Sequence, residues 1–121
     1  MFKIAKLSSF PSETMASGRG SAIQLVGAAN GASMVDVHIN VLIPGGPEGP
    51  YHYHDHTENV YWILSGSGRL IVEGEVHRVE QDDIVFLPPK VKHSLTNDGT
   101  EELRLLEIYA PGAGDFVRVE S

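Results

Sequence analysis

Residues 46–66 read GPEGPYHYHDHTENVYWILSG and carry the strongest structural signal in the chain. A loop rich in Gly and Pro precedes three histidines, at positions 52, 54 and 56, and the apolar run from Val60 to Leu64 follows them. Alternate side chains of an extended strand share one face, so the imidazoles of His52 and His54 can point at one site. The stretch therefore predicts a histidine-lined site next to a buried strand.

The segments on either side of this stretch are short and are separated by frequent glycine and proline. The clearest of them has apolar residues at a strict period of two: Val35, Val37, Ile39, Val41 and Ile43. This alternation is typical of a strand with one buried face. We therefore expect the apolar face in the core. The other face carries Asp36, His38 and Asn40, and we expect His38 at the surface, at an interface or beside a pocket.

Seven further stretches predict strands, at residues 23–26, 60–64, 69–73, 75–79, 84–87, 93–96 and 103–109. No segment of 10–12 residues combines a helical period with capping signals. Short strands with frequent turns indicate an all-β sandwich or barrel. The length of 121 residues fits a single domain. Within it, we expect residues 1–33 to form an N-terminal arm with a weak strand and residues 34–121 to form the barrel.

The charge balance limits the classes of partner. Nine basic and sixteen acidic residues give a formal net charge of −7, which argues against nucleic acid or an anionic membrane surface. The longest apolar run has five residues, well short of the ~20 that a membrane helix needs. The N-terminus lacks the long apolar stretch of a signal peptide, so we expect a cytoplasmic protein that binds a small molecule.

The histidines predict a metal site. Cysteine is absent, so any metal ion must be held by nitrogen and oxygen ligands. A third histidine, His93, follows a strand-ending proline pair, and it can face His52 and His54 if the sheets fold over each other. Three neutral imidazoles in a small apolar barrel would bind one divalent transition metal ion: Zn, Fe, Mn, Ni or Cu. We expect His56, in a loop, and His77, in a hairpin, to be exposed.

Two motifs make the sequence similar to the cupins, a family of small barrel proteins. The first family pattern is Gly-x5-His-x-His-x(3,4)-Glu-x6-Gly, and Gly46, His52, His54 and Gly66 stand at its spacing. The second is Gly-x5-Pro-x-Gly-x2-His-x3-Asn. Residues 82–97, DDIVFLPPKVKHSLTN, place the Pro, His and Asn as this pattern requires.

The resemblance covers roughly residues 34–110 and is closest to the small single-domain, conserved-barrel type of cupin. It implies a double-stranded β-helix, or jelly-roll, barrel with a metal ion inside. Carried over to this chain, the implied ligands are His52, His54 and His93. Asp82 and Lys90 replace two family glycines at turn positions, where we expect local adjustment only.

The fourth ligand is open between two residues. Counting back from Gly66 places the family's glutamate at Asn59, whereas counting forward from His54 allows either Glu58 or Asn59. A carboxylate from Glu58 would complete the ligand shell. If Asn59 is the equivalent, the site has no anionic ligand, which leaves more positive charge on the metal and an open position for an anionic substrate.

The cupin fold hosts many activities, so the resemblance does not name a reaction, and no residue is identifiable as catalytic. The first hypothesis is a mononuclear metalloenzyme acting on a small polar or anionic molecule, as an oxygenase (an oxidoreductase), an isomerase or a decarboxylase. The second is a non-catalytic module that binds or senses a small ligand. Tyr53, Tyr61 and Trp62 are candidates for lining the pocket or for core packing. The resemblance also implies a homodimer, in which the strand at 23–26 could join a neighbour's sheet edge.

Overall fold

The computed structural model describes residues 2–112 and 115–119. We predicted an arm that begins at residue 1 and a barrel that ends at residue 121, and both of these residues lie outside the described ranges. The strands are β1 (Glu13–Thr14), β2 (Gly20–Val26), β3 (Asp36–Leu42), β4 (His52–His54), β5 (Glu58–Ser65), β6 (Ser67–Val72), β7 (Glu75–Glu80), β8 (Ile84–Leu87), β9 (His93–Thr96), β10 (Leu103–Ala110) and β11 (Phe116–Arg118). Two 3-10 turns are also present, at Leu7–Ser9 and Ala28–Asn30. No helix within the described ranges is long and apolar enough to cross a membrane.

The strands form two antiparallel sheets around one core. The six-stranded sheet has the order β1-β2-β3-β10-β5-β8, and the five-stranded sheet has the order β11-β4-β9-β6-β7. Both sheets supply buried side chains to the core: Leu42, Tyr61, Ile63, Leu70, Val79, Leu87, Leu95, Leu103 and Leu105. Burying apolar surface at roughly 25 cal/mol per Å² is the main stabilising contribution of such a core. The all-β prediction is confirmed.

Strand β3 has the predicted period of two, and its polar face also turns toward the interior of the barrel. The polar residues at 36, 38 and 40 face the inside, where His38 Nε2 lies 2.8 Å from Glu107 Oε1. Ile39 pairs with Leu106, which pairs in turn with the exposed Trp62, so the apolar face of β3 belongs to the outside of the sheet. Ile39 and Val41 on this face are nevertheless buried, at 5% and 7% exposure, so the predicted burial is confirmed for them, although they lie outside the cluster that fills the core between the sheets. Alternation defines two faces, and here a hydrogen-bonded polar network occupies the inner one.

The N-terminal strand is part of the barrel's own sheet. The weak strand predicted at 23–26 begins earlier, at Gly20, and pairs along β3 of the same chain. The edge of β2 that faces β3 is therefore occupied within the chain. That edge is not available to join the sheet of a neighbouring chain, as we had expected it could be. At Gly20 the backbone has φ +150°, and a Cβ would overlap the carbonyl oxygen of Val41, so close strand pairing here requires glycine.

Two turns keep a left-handed backbone without glycine. Asp82 has φ 69° and Lys90 has φ 71°, at the two positions where the family pattern has glycine. Such a conformation is sterically unfavourable for residues with a Cβ, and surrounding contacts must hold it. Lys90 is held by its backbone N–H, which donates to the His54 carbonyl at 2.7 Å, and by its ammonium group, 2.8 Å from Asp55 Oδ1. The turn that precedes His93 is thus fixed to the strand that carries His54.

Candidate metal centre

Three histidines converge inside the barrel. His52 and His54 alternate along β4 and therefore share its inner face, and His93 on β9 is the direct cross-strand partner of His52. The three therefore come from neighbouring strands of one sheet, rather than from two sheets folded over each other. One ring nitrogen of each lies within 4.8 Å of those of the other two, and all three residues are buried.

Each of these imidazoles keeps at least one ring nitrogen that is free to act as a metal ligand. Nδ1 of His52 lies 2.8 Å from the Pro50 carbonyl oxygen, and Nδ1 of His93 lies 2.9 Å from that of Val91. A carbonyl can only accept, so each Nδ1 carries the proton and each Nε2 has a free lone pair. Nε2 of His93 and both ring nitrogens of His54 are buried without a hydrogen-bond partner. Such atoms are costly unless ligated, so the residues fit a metal ion.

The electrostatic environment keeps the three rings neutral. Burial lowers the pKa of His52 to about 4, helped by the nearby His93 and His54. Burial also lowers the pKa of His54 and of His93. At neutral pH these imidazoles are unprotonated, which is the form that binds a metal ion.

The two candidates for a fourth ligand lie on opposite faces of β5. Glu58 is exposed, because it shares the outer face with Val60 and Trp62. Asn59 is fully buried with Tyr61 on the inner face, and neither atom of its amide makes a hydrogen bond in the described part of the chain. The structure thus turns Glu58 away from the histidines and leaves a neutral amide on their side.

A cavity of about 110 Å³ adjoins the centre at His52. Its polar wall consists of Arg19, Asn40, His52, Tyr61, Glu107 and Tyr109. Of the three aromatic residues expected to line a pocket, Tyr61 does so. Trp62 is 44% exposed on the outer face of β5, and Tyr53 alternates with the histidines on β4 and so faces away from them. Phe116 on β11 instead stacks on His52, with ring centroids 4.2 Å apart.

A buried ionic network that the sequence analysis missed also reaches the cavity. His38 lies 2.8 Å from both Asp36 Oδ1 and Glu107 Oε1, and Asn40 donates to the same Glu107 oxygen at 3.0 Å. Burial alone would lower the pKa of His38, but its two carboxylate partners raise it overall. Burial would raise the pKa of Glu107, but the bond and charge of His38 lower it overall. The lone acidic residue in the apolar strand 103–109 was the available signal.

The remaining histidines lie outside the centre. His56 has a side chain 79% exposed and His77 one that is 52% exposed, as expected. Asp115 lies closer to the centre: its carboxylate accepts a hydrogen bond from the His56 backbone N–H, and its Oδ1 is 3.9 Å from Nδ1 of His54. A carboxylate at that distance favours a protonated Nδ1 on His54, which would direct its Nε2 lone pair inward.

Comparisons with known proteins agree with this geometry. The Cupin_2 model, described as a cupin domain, matches residues 39–109. An uncharacterized protein of Methanocaldococcus jannaschii is 32% identical over 65 residues, which make up 54% of this chain and 52% of that protein. The match thus spans about half the length of that curated relative.

Two solved structures cover the whole of this chain. A Klebsiella pneumoniae protein with a double-stranded β-helix domain has a TM-score of 0.79 at 20% identity, with 100% of both chains covered. The polyketide cyclase RemF from Streptomyces resistomycificus has a TM-score of 0.84 at 19% identity, covering 100% of this chain and 87% of that one. Likeness at this identity shows the fold, and the predicted double-stranded β-helix is confirmed.

Proposed function

The chain belongs to the cupin family, and we propose that it is a mononuclear metalloenzyme that acts on a small polar or anionic molecule. One observation carries the proposal: three buried, neutral imidazoles each place one ring nitrogen within 4.8 Å of the other two, and a polar cavity adjoins His52. A purely structural core gains nothing from buried nitrogens that have no partner. The ligands would be His52, His54 and His93. Of the two candidates for a fourth ligand, we favour Asn59, because it is buried and lies on the inner face of β5.

A divalent ion at this point would supply Lewis-acid polarisation of a carbonyl or carboxylate oxygen. The chain's own residues would hold the substrate around it. Glu107 provides a fixed carboxylate in the cavity wall, and Tyr61 provides a buried phenol whose pKa burial raises well above its usual value, so it stays a hydrogen-bond donor. The Tyr61 hydroxyl can donate a hydrogen bond to a substrate oxygen on which negative charge develops, which would suit oxygenase, isomerase or decarboxylase chemistry.

Three further properties form part of the proposal. The ligand is a small molecule rather than nucleic acid or a membrane, in keeping with the net charge of −7. The location is cytoplasmic, in keeping with a sequence that has no cysteine to oxidise. The assembly is a homodimer through the outer face of the six-stranded sheet, where Trp62 pairs with Ile84, 63% exposed, next to Phe86, 56% exposed.

Metal analysis of the purified protein tests the proposal. We expect about one transition-metal ion per chain in the wild type and a loss of most of it in His52→Ala and His93→Ala. His56→Ala is the matched control, because that ring is exposed and should leave the metal content unchanged. Equal metal content in all four proteins would contradict the proposed centre. A metal-loaded protein without turnover in oxygen-dependent, isomerisation and decarboxylation assays would favour the non-catalytic binding module.

A further inference from the structure

The cavity contains a cation that the metal site does not use. Arg19 lies directly before β2, and its carbonyl oxygen accepts a hydrogen bond from the Ile43 N–H at 2.9 Å, which fixes its backbone against β3. Its side chain lines the same cavity as His52 and Glu107. Within residues 2–112 and 115–119, the arginine ion pairs belong to Arg69 and Arg78. Arg19 therefore brings an unpaired charge into the barrel.

The guanidinium of Arg19 is held in place while most of its donors stay available. Nη2 donates to the Leu95 carbonyl oxygen at 2.6 Å, which occupies one of its five N–H groups. Gly49 makes room for it, since a Cβ there would lie 2.9 Å from Nη2. The group is partly buried, and burial lowers its pKa against the opposing influence of Tyr61 and Glu107, yet a guanidinium keeps its proton in proteins. A partly desolvated cation with free donors favours an anionic partner.

Glu107 forms no ion pair with Arg19 in the described part of the chain, where its ion-pair partner is His38. Its carboxylate instead accepts hydrogen bonds from His38 and Asn40. Asp36, the second partner of His38, contacts the other ring nitrogen, Nδ1, and not the one that faces Glu107. When His38 is protonated, His38 and Arg19 together balance the charges of Asp36 and Glu107, so a divalent ion on neutral imidazoles would make the whole group net positive. The cavity can thus attract an anion although the chain is acidic.

We propose that Arg19 binds the carboxylate of a small substrate whose other oxygen faces the His52, His54 and His93 centre. This assignment rests on the proposed function, because it places substrate in the cavity beside that centre. A cavity of about 110 Å³ lies far below the several hundred Å³ of a drug-sized site, which restricts the ligand to a few heavy atoms. The planar fork of a guanidinium matches a carboxylate with two parallel hydrogen bonds. Arg19 is then the specificity-determining residue for a short-chain carboxylate.

The test measures binding of glycolate and of its neutral analogue glycolamide to the metal-loaded protein by calorimetry. The wild type should prefer glycolate by about tenfold or more, the scale of a charge-assisted bidentate contact. Arg19→Gln should reduce the preference severalfold, to the part that the metal ion alone supplies, and Arg19→Lys, which keeps the charge without the fork, should lose less of it. Arg78→Gln is the control, because Arg78 is exposed and pairs with Asp98. Metal content and circular dichroism of each variant establish that the centre and the fold persist.

The outcomes separate the two proposals. If the wild type binds no metal, the measured metal content alone contradicts the proposed function, whatever the binding of glycolate. A metal-loaded wild type that binds glycolate no better than glycolamide overturns the role of Arg19, as does an Arg19→Gln variant with an unchanged preference. If Arg19→Gln fails to fold, Arg19→Lys provides the test. A preference of Arg19→Lys for glycolate over glycolamide as large as that of the wild type also overturns the assignment.

Discussion

The buried pair of His38 and Glu107 should give this fold an unusual pH dependence, which Glu107→Gln will reveal. Oε1 of Glu107 lies 2.8 Å from Nε2 of His38, and both side chains are nearly enclosed. Glutamine keeps the shape and the acceptor oxygen but removes the charge. A hydrogen bond to a charged group contributes about 1.5–3 kcal/mol and a neutral one about 1 kcal/mol. We therefore expect the variant to be less stable by about 0.5–2 kcal/mol near pH 5.5.

The sign of the pH effect follows from the two pKa directions. The pKa of His38 is raised above 6.5 in the folded state, so its contribution is full below 6.5 and is lost as the pH rises through the folded pKa. The pKa of Glu107 is lowered below 4.5, so its contribution is full above 4.5 and is lost as the pH falls through the folded pKa. The stability difference between wild type and variant should thus be largest between 4.5 and 6.5 and should shrink at alkaline pH.

Urea unfolding of chelator-treated protein, followed by circular dichroism at about pH 5.5 and about pH 9, measures this difference. The matched control is Glu75→Gln, because Glu75 pairs with the exposed His77 at 3.8 Å and should change stability by less than about 0.5 kcal/mol at either pH. A Glu107→Gln difference that stays constant or grows toward alkaline pH would refute the reasoning. So would a difference no larger than that of the control.

Three other changes probe separate parts of the structure. Gly49→Ala should destabilise the fold by about 1–3 kcal/mol, because its Cβ would overlap the Leu95 carbonyl oxygen, whereas Gly99→Ala meets only ordinary contacts and should be close to neutral in thermal unfolding. Glu58→Gln should leave metal affinity within about twofold of wild type in a competition titration, since that side chain is exposed, and a large loss would place it in the ligand shell. Phe86→Lys should convert the proposed homodimer to a 13.1 kDa monomer in chromatography with light scattering, and a wild type that is already monomeric would contradict the proposed interface.

Much of the fold could be predicted from local pattern. The strands at Ile84–Leu87 and His93–Thr96 have the predicted bounds, because proline and turn residues end them at fixed points. The histidines at 52 and 54 share a face for the same local reason, the period of two along a strand. These features depend on neighbours in sequence, which a single sequence displays.

The features that could not be predicted depend on long-range contacts. The polar face of β3 lies inside because Glu107, far along the chain, meets His38 there. Arg19 reaches the cavity because β2 pairs with β3 in the same sheet, and nothing in the flanking glycine-rich sequence indicates this. On β5, both faces carry apolar residues, so parity could not decide between Glu58 and Asn59. The two residues are distinguished by the position of β5 between β10 and β8 in the folded sheet, where Asn59 is buried and Glu58 is exposed.

The most direct measurement is anomalous scattering from crystals of the protein as purified, collected on both sides of the absorption edges of the candidate metals. We expect one anomalous peak about 2.0–2.3 Å from one ring nitrogen each of His52, His54 and His93, with the element identified by its edge. The Glu58 carboxylate should be far from the peak. No peak at the three histidines in crystals soaked with Zn²⁺, or a peak only at exposed residues such as His56, would contradict the account.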